Sequence, residues 1–156
     1  MSNDTETGYR YTACGLDNVY LVGLPVVEDR AGDETITIPC VNQLHALLRS
    51  EVANKSTGLD PKEIRFLRTE LGMTQAQLAK LVHKDAQTVG RWERGDTAVD
   101  GASETLLRAM TLEALDPEQK HPFSIRDLTV RAVQSLEHHD YRIDASKPGE
   151  YRALAA

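Results

Sequence analysis

The chain has 156 residues, of which 40% are hydrophobic and 5% aromatic, and its formal net charge is −6 at pH 7. This length suits one ordinary domain, or one small domain with ordered extensions, and the shortage of aromatic residues favours a helical core over a β-sandwich. Residues 1–55, 56–115 and 116–156 each contain more acidic than basic residues. The balance therefore disfavours a generally basic nucleic-acid binder, and any binding of DNA must depend on a local basic face.

The sequence also predicts a cytoplasmic protein. No run of eighteen apolar residues is present and the N-terminus is polar and acidic, which predicts neither a membrane span nor a secretory signal. Cys14 and Cys40 are too few for a disulfide framework, and we expect both to be reduced and buried. A zinc site that uses them with His45 is the less favoured alternative, because structural zinc needs four ligands, typically in close pairs. We expect no metal ion and no cofactor.

The first segment, residues 1–55, combines short β-favouring runs with one helix. Residues 26–27 and 34–38 favour strands, as do residues 18–22, and the stretch 29–33 has the composition of a turn, which predicts a β-hairpin. From Val41 onwards, leucine and valine recur at helical spacing, and this helix should end within residues 54–58.

The middle segment, residues 56–115, has the signals of four short helices separated by tight turns. Side chains that cap helix N-termini stand at three positions, and glycines typical of helix ends follow two of the helices. The caps are Asp60, Thr74 and Asp85, and the terminating glycines are Gly72 and Gly95. Pro61 and Glu63 complete the first capping motif. The fourth helix spans residues 102–115. Its predicted buried residues are Leu106, Leu107 and Met110.

The last segment, residues 116–156, is predicted to contain one further helix and a tail. Apolar residues from Phe123 to Leu136 recur at helical spacing, with Ser124 as the cap. From His138 onwards the tail mixes charged and turn-forming residues. We interpret the adjacent histidines 138 and 139 as surface residues instead of metal ligands or a pH switch, because neighbouring side chains near a helix end point in different directions.

The second and third helices of the middle segment are spaced to pack across each other as a helix-turn-helix. The packing residues on the first helix are Leu78, Ala79 and Val82, and those on the second are Val89 and Trp92. Because Ala79 is small, the two helices can approach closely at that point. The spacing of Trp92 from Val89 favours core packing over a role for Trp92 as a stacking platform for nucleic acid.

The outward face of the second of these helices, residues 85–94, has side chains that can read DNA. Glutamine can bind adenine, arginine can bind guanine, and alanine or threonine can contact the methyl group of thymine. The candidate contacts are Lys84, Ala86, Gln87, Thr88, Arg91 and Arg94. Lys84 is a candidate for a phosphate contact. An ordinary solvated helix face is the alternative for the others, but the whole pattern favours contact with bases or phosphates.

The spacing of these residues matches a known family over a long stretch. The matching positions are residues 64–79, Val82, residues 87–89 and residues 92–95. At these positions the chain resembles the Cro/C1-repressor-type helix-turn-helix family, also called the xenobiotic-response-element or XRE family. The resemblance implies a mainly α fold built on a compact five-helix DNA-binding domain. A small β-hairpin-containing N-terminal region and a C-terminal extension would flank this domain.

The resemblance also implies roles for particular residues. Gln75, which opens the first helix of the motif, would contact the DNA backbone and brace the reading helix. Base contacts would fall on Ala86, Gln87 and Arg91, with Thr88 close by. Arg68 and Glu93 occupy positions that form a partly buried ion pair in such repressors. Arg68 is therefore expected to be structural.

These features predict a sequence-specific transcriptional regulator that binds double-stranded DNA. Because one such domain reads only a few base pairs, we expect a homodimeric repressor that reads an inverted repeat through the major groove. Residues 1–55 and residues 116–156 are the two candidates for the dimer interface. We expect no enzymatic activity, since no Ser/His/Asp arrangement, glycine-rich phosphate loop or pair of placed carboxylates is present.

Two alternatives remain open. The first is an antitoxin-like protein whose N-terminal region binds a partner protein, with DNA binding used for autoregulation. The layout loosely resembles that of MqsA-type antitoxins, but it departs from them in lacking their paired zinc-ligand cysteines. The second is a small-molecule sensor, which would need a pocket in the extensions that nothing in the sequence specifies.

Overall fold

The structure is a computed structural model that describes residues 8–132, 137–147 and 149–155, except for the side chains of Val26 and Val27. The strands are β1 (Tyr9–Arg10), β2 (Val19–Val22), β3 (Val26–Glu28), β4 (Glu34–Ile36), β5 (Tyr141–Asp144) and β6 (Arg152–Ala153). The helices are α1 (Val41–Ala53), α2 (Pro61–Glu70), α3 (Gln75–Leu81), α4 (Ala86–Arg94), α5 (Gly101–Leu115) and α6 (Ile125–Ala132). The fold is mainly α, as predicted. No described helix is long and apolar enough to cross a membrane.

The chain divides into two compact units. The first combines Met1–Leu48 with His139–Ala156, and the second is Arg49–His138. The three predicted segments, 1–55, 56–115 and 116–156, follow the order of the chain, whereas the first compact unit joins both ends of the chain.

The first unit contains a four-stranded sheet with the order β1-β2-β5-β6. The central strands β2 and β5 are parallel, and each pairs antiparallel with an outer strand. Residues of the two central strands alternate between buried and half-buried positions, as one covered face of a sheet requires. The buried residues are Val19, Leu21, Tyr141 and Ile143. Strands β1, β5 and β6 were not predicted from the sequence.

The predicted hairpin is present as a separate two-stranded sheet of β3 and β4. Val26 lies opposite Ile36, and Glu28 lies opposite Glu34. Like charges at opposite positions weaken a strand pair. The turn compensates, because the carboxylate of Asp29 accepts hydrogen bonds from the backbone N–H groups of residues 31 and 33, at 2.9 Å each. These two hydrogen bonds therefore stabilise the turn of the hairpin.

Helix α1 begins directly after Cys40, which has a left-handed backbone with φ of 51°. Leu44 and Leu48 are buried, and the hydroxyl of Tyr11 lies 2.7 Å from Nε2 of His45. The prediction that both cysteines are buried is wrong: Cys40 is exposed and Cys14 is half-buried, and both are free thiols. Cys40 lies at a helix boundary and Cys14 in a turn, and neither position faces the core.

The predicted capping interactions of the second unit are present. Asp60 and Glu63 form a reciprocal capping box at α2, and Thr74 forms one with Gln77 at α3. The carboxylate of Asp85 accepts a hydrogen bond from the backbone N–H of residue 88 at 2.7 Å. The two predicted stop residues, Gly72 and Gly95, have left-handed backbones with φ of 74° and 78°. These local signals place α2, α3 and α4 where the sequence predicted them.

Helix α5 begins one residue earlier than predicted, after a cap at Asp100, and turns a different face inwards. Leu107 is buried as predicted, but Met110 is only half-buried and Leu106 is 45% exposed, so its predicted burial is wrong. The inward positions belong to polar and charged residues. These are Glu104, Arg108 and Thr111, which lie at helical spacing beside Leu107.

Four charged side chains meet in the interior of the second unit. Nζ of Lys55 lies 2.7 Å from a carboxylate oxygen of Glu63, and the guanidinium of Arg108 lies 3.4 Å from the carboxylate of Glu104. Glu104 also accepts a hydrogen bond from the backbone N–H of Leu59 at 2.6 Å. Burial raises the pKa of the Glu104 carboxyl and lowers the pKa of the Arg108 guanidinium. Two positive and two negative charges thus balance in the core.

Helix α6 lies within the predicted C-terminal helix. Leu128 is buried, whereas Ile125 and Val130 are exposed. The hydroxyl of Ser124 accepts a hydrogen bond from the backbone N–H of Asp127 at 3.3 Å, as expected of a cap. The predicted residues Val133 and Leu136 lie outside the described residues.

Candidate nucleic-acid interface

Helices α3 and α4 cross as a helix-turn-helix. The five residues predicted to pack between them are all buried, with at most 6% exposure. They are Leu78, Ala79, Val82, Val89 and Trp92. The turn is closed by a hydrogen bond of 2.8 Å from the backbone N–H of Lys84 to the carbonyl of residue 79, and His83 has a left-handed φ of 58°. The core role predicted for Trp92 is confirmed by its burial.

The face of α4 opposite Val89 and Trp92 is open to solvent. Four of the predicted contacts lie on it and are exposed: Ala86, Gln87, Arg91 and Arg94. Lys84, just before the helix, is also exposed. Thr88 is half-buried, and its hydroxyl donates a hydrogen bond of 2.8 Å to the carboxylate of Asp85. Thr88 therefore belongs to the helix cap.

An ion pair attaches α4 to α2. Nε of Arg68 donates to Oε2 of Glu93 at 2.7 Å and Nη2 donates to Oε1 at 2.8 Å, while Nη1 donates to the carbonyl of Met73 at 2.9 Å. The two side chains are only 11% and 4% exposed. This bidentate geometry confirms the structural pair that the family resemblance implied.

Gln75 connects α3 to the same carboxylate. Its Nε2 donates to Oε1 of Glu93 at 3.3 Å, and the side chain is half-buried. Glu93 thus accepts hydrogen bonds from α2 and from α3, and it ties three helices together. The bracing that the resemblance implied for Gln75 is visible in this contact, while its contact with DNA stays a prediction.

Two carboxylates near α4 have lowered pKa values. The pKa of Asp85 is lowered by hydrogen bonds from the backbone and hydroxyl of Thr88, and less by the charge of Arg91. Burial acts to raise the pKa of Asp100, but hydrogen bonds from Ser103 and the charge of Lys84 lower it overall. The charges of Lys84 and Arg91 thus each favour the ionised form of a carboxylate near the reading helix.

Sequence reasoning missed one partner of a predicted contact. Nε of Arg94 lies 3.0 Å from Oδ2 of Asp96, in a pair whose side chains are 63% and 55% exposed. A signal for it existed, because Asp96 follows the helix stop at Gly95 and can fold back over the last turn. The pair is exposed enough for a phosphate to replace the carboxylate at little cost.

The described residues also bear on the two less favoured kinds of site, a metal site and a small-molecule pocket. Within the described part of the chain, no three His, Cys, Asp or Glu residues are grouped to hold a metal ion. A cleft of about 430 Å³ lies beside α5 and α6. Two of its charged groups are engaged within the protein: Asp116 accepts from the backbone N–H groups of Lys120 and His121, and Arg131 donates to the carbonyl of Asn54.

The crossed pair of helices, its buried frame and its exposed polar face define a helix-turn-helix domain. Residues 64–102 match the family model described as Helix-turn-helix, which confirms the predicted resemblance to XRE-type domains. This is a family of DNA-binding regulators and not of enzymes, and the match supports DNA binding by the domain.

One curated relative is the Antitoxin HigA-2 of Vibrio cholerae serotype O1. It is 30% identical to this chain over 64 residues, which are 41% of this chain and 54% of the relative. The chain therefore matches about half the length of this relative. No solved structure matches the chain.

Proposed function

We propose that the protein is a sequence-specific transcriptional regulator that places α4 in the major groove of DNA. The observation that carries the proposal is the polarity of α4: Val89 and Trp92 are buried on one side, and Gln87 and Arg91 are exposed on the other. A helix held in this way can enter the groove without losing its packing. Gln87 and Arg91 have side chains that recognise adenine and guanine.

The remaining contacts supply position and shape. The methyl groups of Ala86 and Thr88 suit thymine. Gln75 begins α3, Lys84 lies in the turn before α4 and Arg94 ends α4, and these positions suit contacts with phosphates of the backbone. Because the whole chain carries a charge of −6, attraction to DNA without regard to sequence is weak, and base contacts supply a large share of the affinity.

We further propose that the protein acts as a homodimeric repressor on an inverted repeat, with half-sites about 34 Å apart, which is one turn of DNA. The support is the small size of the reading surface, since one α4 helix of nine residues reads only a few base pairs. Light scattering of the free chain, together with footprinting on the selected site, tests this proposal. A monomer that protects a single half-site would contradict it.

The test of the central proposal is selection of bound sites from random double-stranded DNA by the full chain. We expect one enriched motif. Arg91→Ala should then weaken binding by about 1–3 kcal/mol, or roughly 5- to 150-fold, and relax the preference at its own base position. Arg126→Ala is the matched control, because it removes an exposed arginine from α6. No enrichment by the unmodified chain, or equal losses for both variants, would contradict the proposal.

A second candidate is an antitoxin-like protein that binds a partner protein and regulates its own operon. The observation that favours it is the similarity to the antitoxin of Vibrio cholerae. Residues 1–55 are the candidate partner-binding region. Co-expression with proteins encoded beside the gene, followed by size-exclusion chromatography, tests this candidate. A complex of fixed stoichiometry that changes operator affinity would favour it, whereas failure of all neighbouring proteins to associate would remove it.

A further inference from the structure

Gly90 is at the centre of the reading helix, where a glycine is locally unfavourable. It is the fifth of nine residues of α4 and is buried. In a helix interior, alanine is favoured over glycine by about fivefold per residue. A residue that weakens the helix at its centre points to a functional requirement at that place.

The ends of two side chains surround the space where a Cβ of residue 90 would lie, and one of them is too close to it for an ordinary contact. An added Cβ would be 3.1 Å from Nη1 of Arg94, 3.5 Å from Oε1 of Gln75 and 3.8 Å from its Nε2. Both are proposed DNA contacts. Because glycine has no side chain, a notch is left on the surface of α4 at Gly90, between the side chains of Gln75 and Arg94.

Each of these two side chains contacts a carboxylate, and the end of each lies against α4 at the notch. Gln75 donates to Glu93, and Arg94 pairs with Asp96. We propose that Gly90 is a positioning residue for DNA binding: it lets Gln75 and Arg94 lie side by side against α4, where both can contact phosphates. This inference rests on the proposed DNA-binding function.

Stability does not account for the glycine. The three atoms nearest to an added Cβ all belong to side chains, and the tightest contact is with the end of an arginine that is 63% exposed. That arginine can swing away at little cost, and the distances to Gln75 are ordinary van der Waals contacts. Gly90→Ala should therefore keep or increase the stability of the domain while it displaces the guanidinium of Arg94 from its present position in the notch.

The test compares the full chain with Gly90→Ala, Arg94→Ala and the double variant. Each protein is titrated with the site selected from random DNA at several salt concentrations, and its urea unfolding is measured. We expect Gly90→Ala to bind about five- to tenfold more weakly, because a misplaced phosphate contact is lost. The slope of log affinity against log salt should shrink by about 1, as for the loss of one phosphate contact. In the Arg94→Ala background, the glycine substitution should have little further effect.

The outcomes separate this inference from the function on which it rests. An unchanged affinity and salt slope for Gly90→Ala would overturn the positioning role and leave the proposed function intact. An equal loss with and without Arg94, or a loss explained by lower stability, would also overturn it. Failure of the unmodified chain to enrich any DNA site would overturn both.

Discussion

Replacing Arg68 by alanine tests whether this residue stabilises the reading helix or contacts DNA. Arg68 donates two hydrogen bonds to Glu93 and one to the carbonyl of Met73, all between 2.7 and 2.9 Å. Without it, the Glu93 carboxylate, which is 4% exposed, keeps the hydrogen bond of 3.3 Å from Gln75. A buried charge loses its partner, and the domain should unfold more readily.

The expected size of this effect follows from the burial of the pair. Breaking a buried ion pair from one side costs about 3–5 kcal/mol, and the 11% exposure of Arg68 places the loss near 3 kcal/mol. A small domain has about 5–15 kcal/mol of stability in all. With a urea dependence of about 1–3 kcal/mol per molar, the midpoint of unfolding should fall by about 1–3 M.

Urea unfolding followed by the fluorescence of Trp92 is the assay, since this is the single tryptophan of the chain and is buried beside Val89. Arg91→Ala is the matched control: it removes an exposed arginine of α4 and should change stability by no more than about 0.5 kcal/mol. Adding Glu93→Gln to Arg68→Ala removes the stranded charge and should restore part of the stability. If Arg68→Ala loses DNA binding but unfolds at the original urea concentration, Arg68 is a DNA contact and the structural assignment fails.

Two further predictions concern the core and the cap. Arg108→Met should lower the free energy of unfolding by about 3–5 kcal/mol, because it leaves the buried carboxylate of Glu104 without its positive partner. Since the pKa of Glu104 is raised in the folded protein, this carboxyl group costs stability as pH rises through that pKa. The loss of stability measured by urea unfolding should therefore shrink on acidification. A deficit that is absent, or that grows on acidification, would show that this arginine does not compensate Glu104. Asp85→Ala should destabilise α4 more than Asp85→Asn, because asparagine can still cap the helix. Since the pKa of Asp85 is lowered in the folded protein, the stabilisation by its carboxylate is present above the ordinary pKa of 3.8 and is lost as pH falls through the folded pKa. Equal unfolding midpoints for the two Asp85 variants at neutral pH would rule out the cap.

The helix-turn-helix was predictable because its determinants are local. Asp60, Thr74 and Asp85 each satisfy a backbone N–H only three residues away, and such contacts are visible as sequence spacing. The burial of Val89 and Trp92 follows from helical periodicity in the same way. Only the Arg68–Glu93 pair, which joins residues 25 positions apart, needed the family resemblance.

The sheet was not predictable in the same manner. Strand β5 pairs with β2 in register from Val19 with Tyr141 to Val22 with Asp144, across more than a hundred residues. Each strand has only four residues, and the sequence around β5 is rich in charged and turn-forming residues, which are typical of loops. Such a pairing depends on contacts that no window of the sequence contains.

The inward face of α5 was misread for a different reason. Helical periodicity predicts that apolar residues are buried, and it therefore favoured Leu106 over the charged Arg108. Arg108 is buried instead because its guanidinium donates to the carbonyls of Lys55 and Thr57, which lie in the connection before α2. A leucine at this position could not donate to those carbonyls, and burial of unpaired carbonyl groups is unfavourable.

The same distinction applies to the candidate interface. Exposure of Gln87 and Arg91 follows from periodicity, but the orientation of Gln75 and Arg94 depends on Glu93, Asp96 and the notch at Gly90. Orientation matters for an acidic protein, because weak general attraction to DNA leaves little to offset the entropy of ordering each side chain on binding. Side chains already held in place before they meet DNA lose less of that entropy. The carboxylate of Glu93 thus opposes binding through its charge and favours it by holding Gln75 in place.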